Sequence, residues 1–186
     1  MAARIQSGMK EAVPFGVGLI TGVRSMTGPA WLALAAQRGM LETGGSKLSW
    51  LESGKAVPIA CTLAVGEFVV DKLPVTPDRT SVAPLGARLL LGGGCGAAVE
   101  IAADRRWYRG AALGLLGALI GAFAGSGYRA AVARKGLPDL PFALLEDIAV
   151  LTAAVSLYRP HSESRATAVP MSAQMIDQEA RYGAID

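Results

Sequence analysis

The chain has little of what soluble catalysis uses: one histidine and two cysteines in 186 residues. His161 lies beyond the last apolar stretch, so no histidine-based metal site and no Ser-His-Asp triad can be assembled within the apolar segments. Cys61 and Cys95 each sit inside an apolar stretch, where they read as small packing residues and not as redox groups or ligands. No metal, no cofactor and no enzymatic activity are expected. Aromatic residues are scarce at 6% and charged residues make up only 18%, against 52% apolar residues. With a mean hydropathy of +0.38, that balance does not suit an ordinary soluble domain of this length. The 18 Lys+Arg and 15 Asp+Glu leave a formal charge of +3. The basic residues lie mainly between apolar stretches, as at Arg105, Arg106 and Arg109 or Arg134 and Lys135, and form no single stripe, so no nucleic-acid partner is expected. Residues 1–10 are mixed polar and no small-residue cleavage site follows a clean apolar core, so no removable signal peptide is read.

What the chain does have is five apolar stretches. A helix needs about 20 residues to cross ~30 Å of hydrocarbon. Residues 13–40 are long enough but are broken at Arg24-Ser25-Met26-Thr27-Gly28-Pro29. Thr27 or Gly28 can cap a new helix whose first position is Pro29, where a missing N–H costs nothing. One helix is therefore predicted to end near Val23 and another to start at Pro29. Residues 56–73 follow, with Pro74 and Pro77 forbidding continuation. Residues 81–103 open on Ser81 as a cap with Pro84 in the first turn, 109–132 form the fourth stretch, and 140–158 run from Asp139 and Pro141 to the stop at Pro160. Trp107, Tyr108 and Tyr158 stand at stretch ends, as interfacial aromatics do. The expected fold is all-α: a polytopic membrane helix bundle of about four spans plus a broken or re-entrant N-terminal helical hairpin. Residues 1–160 form the membrane domain, and 161–186, polar and without apolar periodicity, a disordered tail. If the broken stretch doubles back from an inner N-terminus, nine basic residues fall inside (Arg4, Lys10, Arg38, Lys47, Lys55, Arg105, Arg106, Arg109, Arg159) and six outside. A crossing gives a near-even split, so the positive-inside bias favours the re-entrant hairpin with both termini cytoplasmic.

Charges inside apolar stretches mark the candidate site. Glu67, Glu100, Glu146 and Asp147 all interrupt such stretches. A carboxylate at mid-bilayer costs roughly 3 kcal/mol, so such residues face a protein interior or a wet cavity. Glu67 and Asp71 share a helix face, and Arg88 and Glu100 nearly do. Two readings stay open: fixed ion pairs between neighbouring helices, with Arg24, Arg88 or Arg129 as partners, or coordination of an ion or proton by Glu67 and Glu146. At the break, a helix N-terminus beside Arg24, Ser25 and Thr27 would present free N–H groups to an anion. A second polar, proline-stiffened loop contains Asp71 and Arg79 and reads either as a turn or as part of the site. Glycine supplies the third pattern. Gly110, Gly114, Gly117, Gly121 and Gly125 fall along one helix face, and Gly92 and Gly96 repeat the spacing one stretch earlier. They read as close helix packing, within the bundle or between copies in a homo-oligomer, or as the lining of a narrow pore.

Arg24-Ser25-Met26-Thr27, then Asp71-Lys72-Leu73-Pro74 and Thr76-Pro77-Asp78-Arg79-Thr80, and finally Leu137-Pro138-Asp139 leading to Glu146-Asp147 form an ordered series. In this series, over roughly residues 15–157, the chain resembles the bacterial integral-membrane domain-of-unknown-function family numbered 4126. The resemblance implies an integral membrane protein and carries no activity. The residues point to a multi-pass protein of the cell (inner) membrane, with the lipid bilayer and a small ion or anion as partners. A transporter or channel-like permease centred on Arg24, Glu67, Arg79, Arg88, Glu146 and Asp147 is one expectation. A non-conducting membrane scaffold or assembly partner held by structural ion pairs is the other.

Overall fold

The structure, a computed structural model, describes residues 2–43, 46–70, 82–136 and 139–158. Asp71, Arg79 and the expected tail lie outside the described residues. Among those described, the chain forms helices α1 (Ala2–Val23), α2 (Thr27–Gln37), α3 (Ala56–Val70), α4 (Val82–Ala102), α5 (Trp107–Arg134) and α6 (Asp139–Ser156), with a short 3₁₀ turn at Ser49–Glu52 and no strand. α1 extends ahead of the apolar stretch to take in the polar residues from Ala2 onward.

The helix ends follow from local chemistry. After α2, Gly39 adopts φ +66°, which lets Met40 N–H reach Ala35 O at 2.9 Å. That six-residue closure satisfies a carbonyl of the last turn, and glycine enters the left-handed region without a Cβ penalty. α4 ends the same way with Asp104 at φ 51° and Arg105 N–H on Glu100 O at 2.9 Å. Aspartate is among the few side chains that tolerate this conformation.

Three helices meet at backbone contact. A Cβ added to Gly96 would stand 2.1 Å from Gly110 O, one on Gly18 2.2 Å from Gly114 O, and one on Gly121 2.2 Å from Leu19 O. Gly22 faces Ala118, Gly117 faces Phe15 and Gly92 faces Ala118 and Gly114. The order of these contacts makes α1 parallel and α4 antiparallel to α5. Gly125 is also buried, and lines a groove between α1, α5 and α6.

α6 runs antiparallel to α1, since Gly16 lies against Leu157 while Arg24 reaches Asp147. α2 follows α6 in the same sense. Trp31 Nε1 donates to Ala154 O at 3.0 Å, a last-turn carbonyl, and the Arg38 guanidinium lies 5.0 Å from the Tyr158 ring centre. The chain therefore reverses at Arg24–Met26 and α2 returns past α1. Leu51 and Ala56 pack against Ala33 and Ala36 at the far end of α2, and α3 runs back from there toward the reversal.

The outer surface is apolar. Leu90 is 78% exposed, Val155 67%, and Ile148 and Val69 60%. Two helices, α4 and α5, are long and apolar enough to cross a membrane. The other two of the expected four or so fall short of that length and composition, for physical reasons. α3 has 15 residues and rises only about 22 Å, and α6 carries three carboxylates, Asp139, Glu146 and Asp147, within its 18 residues.

Candidate functional site

A polar centre forms where the chain reverses. Arg24, just past Val23, is 0% exposed. Its guanidinium is hydrogen-bonded to Asp147 of α6 and lies 4.9 Å from the centre of the Phe68 ring of α3. A charge withdrawn this far from water requires an opposite partner, and the aromatic face adds a weaker attraction.

The next two residues present the N–H groups that precede α2 and lack an intrahelical acceptor. Glu67 of α3 takes both: Ser25 N–H donates to Oε1 and Met26 N–H to Oε2, each at 2.7 Å. The contacts are short and charge-assisted, and they set a negative group at the positive end of the α2 dipole. This corrects the sequence expectation twice. Donors expected to face an external anion are held by the protein's own carboxylate. Thr27 and Gly28, either of which was expected to cap a helix starting at Pro29, lie inside α2, whose N-cap is Met26; Thr27 makes no capping bond, and its hydroxyl is buried without a hydrogen-bond partner. A carboxylate from another helix has taken over the capping, which no local pattern at the break could announce.

Ser25 Oγ accepts from Arg88 Nε of α4 at 3.2 Å. One residue before Asp147, Glu146 Oε2 accepts from Arg129 Nε of α5 at 3.1 Å. Arg129, Glu146, Asp147, Arg24, Ser25, Glu67 and Arg88 thus form one continuous series, to which every helix from α3 to α6 and the α1–α2 reversal contribute. Arg88, Glu146 and Asp147 are 4%, 8% and 7% exposed, so with Arg24 they form the buried part of the series, while Ser25, Glu67 and Arg129 are half-buried. Its three guanidinium groups balance its three carboxylates.

Sequence reasoning selected Arg24, Ser25, Glu67, Arg88, Glu146 and Asp147, and the structure brings them together. It named Arg129 as a partner without placing it in the site, and missed Phe68 and the Met26 N–H. Two signals were available: Arg129 lies within a glycine-rich helix, away from the arginines of its first and last turns, and Phe68 adjoins Glu67. Glu100 lies elsewhere. It holds Arg105 through two bonds, Nε to Oε2 at 2.8 Å and Nη2 to Oε1 at 2.5 Å, closing the turn between α4 and α5. The hydrogen bond to Glu100 pushes the Arg105 guanidinium above its ordinary value. Among the described residues, no three His, Cys, Asp or Glu side chains are grouped to hold a metal ion.

An all-helical chain with an apolar exterior and an interior charge series is the class defined by this geometry. The model of a family described as a domain of unknown function (DUF4126) matches residues 12–159, and the chain belongs to that family. No curated protein and no solved structure is similar enough to match it.

Proposed function

We propose that the protein is a multi-pass inner-membrane protein in which α3 to α6 cross the bilayer, α1 and α2 form a re-entrant hairpin, and the buried charges clamp the helices into a non-conducting scaffold. The observation that carries this reading is Arg24: 0% exposed and bonded to Asp147 of another helix. Supporting it are apolar residues on the outside, charges on the inside and glycine contacts that bring α1, α4 and α5 to backbone distance. Orientation follows from charge. The bundle end that holds Arg38, Lys47, Lys55, Arg105 and Arg106 is the more basic one and faces the cytoplasm.

The test is thermal stability in detergent. Removing one partner of a buried pair costs ~3–5 kcal/mol because the other charge stays buried and uncompensated, whereas removing both costs far less. Arg24→Ala should therefore lower the melting temperature and the amount of protein in the membrane, and Arg24→Ala with Asp147→Ala should recover most of the loss. Unchanged stability of Arg24→Ala would sink the clamp.

One observation favours a second reading, a permease for a proton or small anion. Glu67 occupies the place at a broken helix where transporters commonly hold an anionic group. On that reading the pairs belong to a closed state, and proton or chloride flux into liposomes differs between wild type and Glu67→Gln. Flux equal to that of empty liposomes for both proteins leaves the scaffold as the reading.

A further inference from the structure

We propose that α3 is a hinged lid over the charge series, anchored by apolar contacts at its start and latched at its far end by Glu67 and Phe68. The inference rests on the clamp reading above and adds a moving part to it. The anchor is local: Ala56, Val57 and Ala60, all in the first five residues of α3, pack with Leu51 against Ala33 and Ala36 of α2. The latch is polar. Glu67 accepts the Ser25 and Met26 N–H groups, and the Phe68 ring covers the Arg24 guanidinium at 4.9 Å. Among residues 61–66 Ala64 alone is buried, so one methyl group is the apolar grip between the two ends.

The other side of α3 is uncovered. Ile59, Leu63, Val65 and Val69 are all more than half exposed, and among the described elements α3 packs on α2 and the 3₁₀ turn alone. The hinge precedes the helix. Ser53 leaves the 3₁₀ turn in an extended conformation, with ψ 141°, and a Cβ added to Gly54 would meet nothing within 4 Å. Ser53, Gly54 and Lys55 are exposed, so their dihedral angles can change without displacing a neighbouring side chain.

Leverage makes a small rotation sufficient. Glu67 stands about 16 Å along the helix from Ala56, so a swing of about 15° carries its carboxylate ~4 Å. Both 2.7 Å contacts are then broken. The motion leaves the Arg24–Asp147 and Arg129–Glu146 pairs alone, because no partner in either lies on α3. Opening therefore uncovers Arg24 and two backbone N–H groups while α5, α6 and the reversal stay clamped.

Amide exchange followed by NMR on the full chain in detergent tests the lid, since a rigid swing frees two N–H groups and keeps the helical bonds of α3. In wild type the Ser25 and Met26 amides should exchange faster than the buried amides of α5 and faster than those of residues 61–69. Glu67→Gln, which gives up one charge-assisted bond, should speed the two amides roughly 10- to 100-fold. Phe68→Leu should speed them roughly two- to fivefold, and Leu63→Ala, on the uncovered side, should not alter them. Gly96→Ala separates opening of the lid from global unfolding. It strains the contact of α4 with α5 whether the lid is open or shut, so it should speed the α5 amides and leave Ser25 and Met26 unchanged. Ser25 and Met26 amides that follow α5 through every variant overturn the lid and leave the clamp standing. Exchange of residues 61–69 in step with those two amides shows α3 unfolding instead of swinging, which refutes the hinge. The clamp falls separately, on an unchanged melting temperature for Arg24→Ala, whatever rate the two amides show.

Discussion

Glu67 and Thr27 show how far single residues can be read in advance. The sequence marks Thr27 as a polar group at a helix break and Glu67 as a charge inside an apolar stretch, yet at the break they end up in opposite situations. Glu67 has two acceptor atoms, each filled by a backbone N–H at 2.7 Å. Glutamine at this position keeps one acceptor and turns an NH₂ toward the other donor. Hydrogen bonds to charged groups contribute roughly 1.5–3 kcal/mol, so Glu67→Gln should lower stability by an amount in that range, and a fall in melting temperature in detergent checks it. Thr27 Oγ1 is buried without a hydrogen-bond partner. Removing a buried hydroxyl that bonds nothing, at nearly constant volume, relieves a desolvation cost of about 1–3 kcal/mol. Thr27→Val should leave stability unchanged or raise it. A clear loss would mean that the hydroxyl is used. Local propensity ranks threonine as a good cap and says nothing of a distant carboxylate, and for that reason the wrong residue was singled out.

At the scale of elements much more was legible. Val23 as the end of the first helix and Pro84 and Pro141 in the first turns of α4 and α6 are consequences of backbone sterics that operate within a few residues. What the glycines touch was not. The row on α5 is a single face in projection, but its early members meet α4 and its later ones α1. Neighbouring positions on α4 give a controlled comparison. A Cβ at Gly96 would collide with the Gly110 carbonyl at 2.1 Å, and this is backbone that cannot turn aside, whereas a Cβ at Gly94 meets nothing within 4 Å. Gly96→Ala should destabilise by about 1–3 kcal/mol through overpacking. Gly94→Ala should be neutral or stabilising by up to about 1 kcal/mol, since alanine loses less backbone freedom in a helix. Equal melting temperatures for the two variants would show that α4 and α5 are not in contact at Gly96.

The whole molecule joins these pieces through direction. Gly16 against Leu157, Arg38 over Tyr158, and Leu51 with Ala56 against α2 gather the end of α2, the start of α3 and the end of α6 at one end of the bundle. The turn between α4 and α5 joins them, because α5 runs parallel to α1. The turn after α5, with Lys135, belongs to the opposite end. Counting basic residues in the sequence left the hairpin and the crossing as rivals, because loop charge is a weak vote when only a few residues separate the alternatives. Side-chain contacts of α2 with α6 make the chain double back, and on the membrane reading proposed above a doubled-back α2 would give each loop a side. In a background with Cys61→Ala and Cys95→Ala, single cysteines at Lys47, Asp104 and Lys135 can be probed with a membrane-impermeant maleimide in intact cells and in inverted vesicles. Lys47→Cys and Asp104→Cys should react together in inverted vesicles, and Lys135→Cys in intact cells. A crossing hairpin would instead separate the N-terminus from Lys47, so a tag at the N-terminus protected where Lys47→Cys reacts would refute the doubled-back topology. Reaction of all three cysteines from one side would remove the bilayer from between the two ends, and with it the reason for burying Arg24, Arg88, Glu146 and Asp147 beneath an apolar surface.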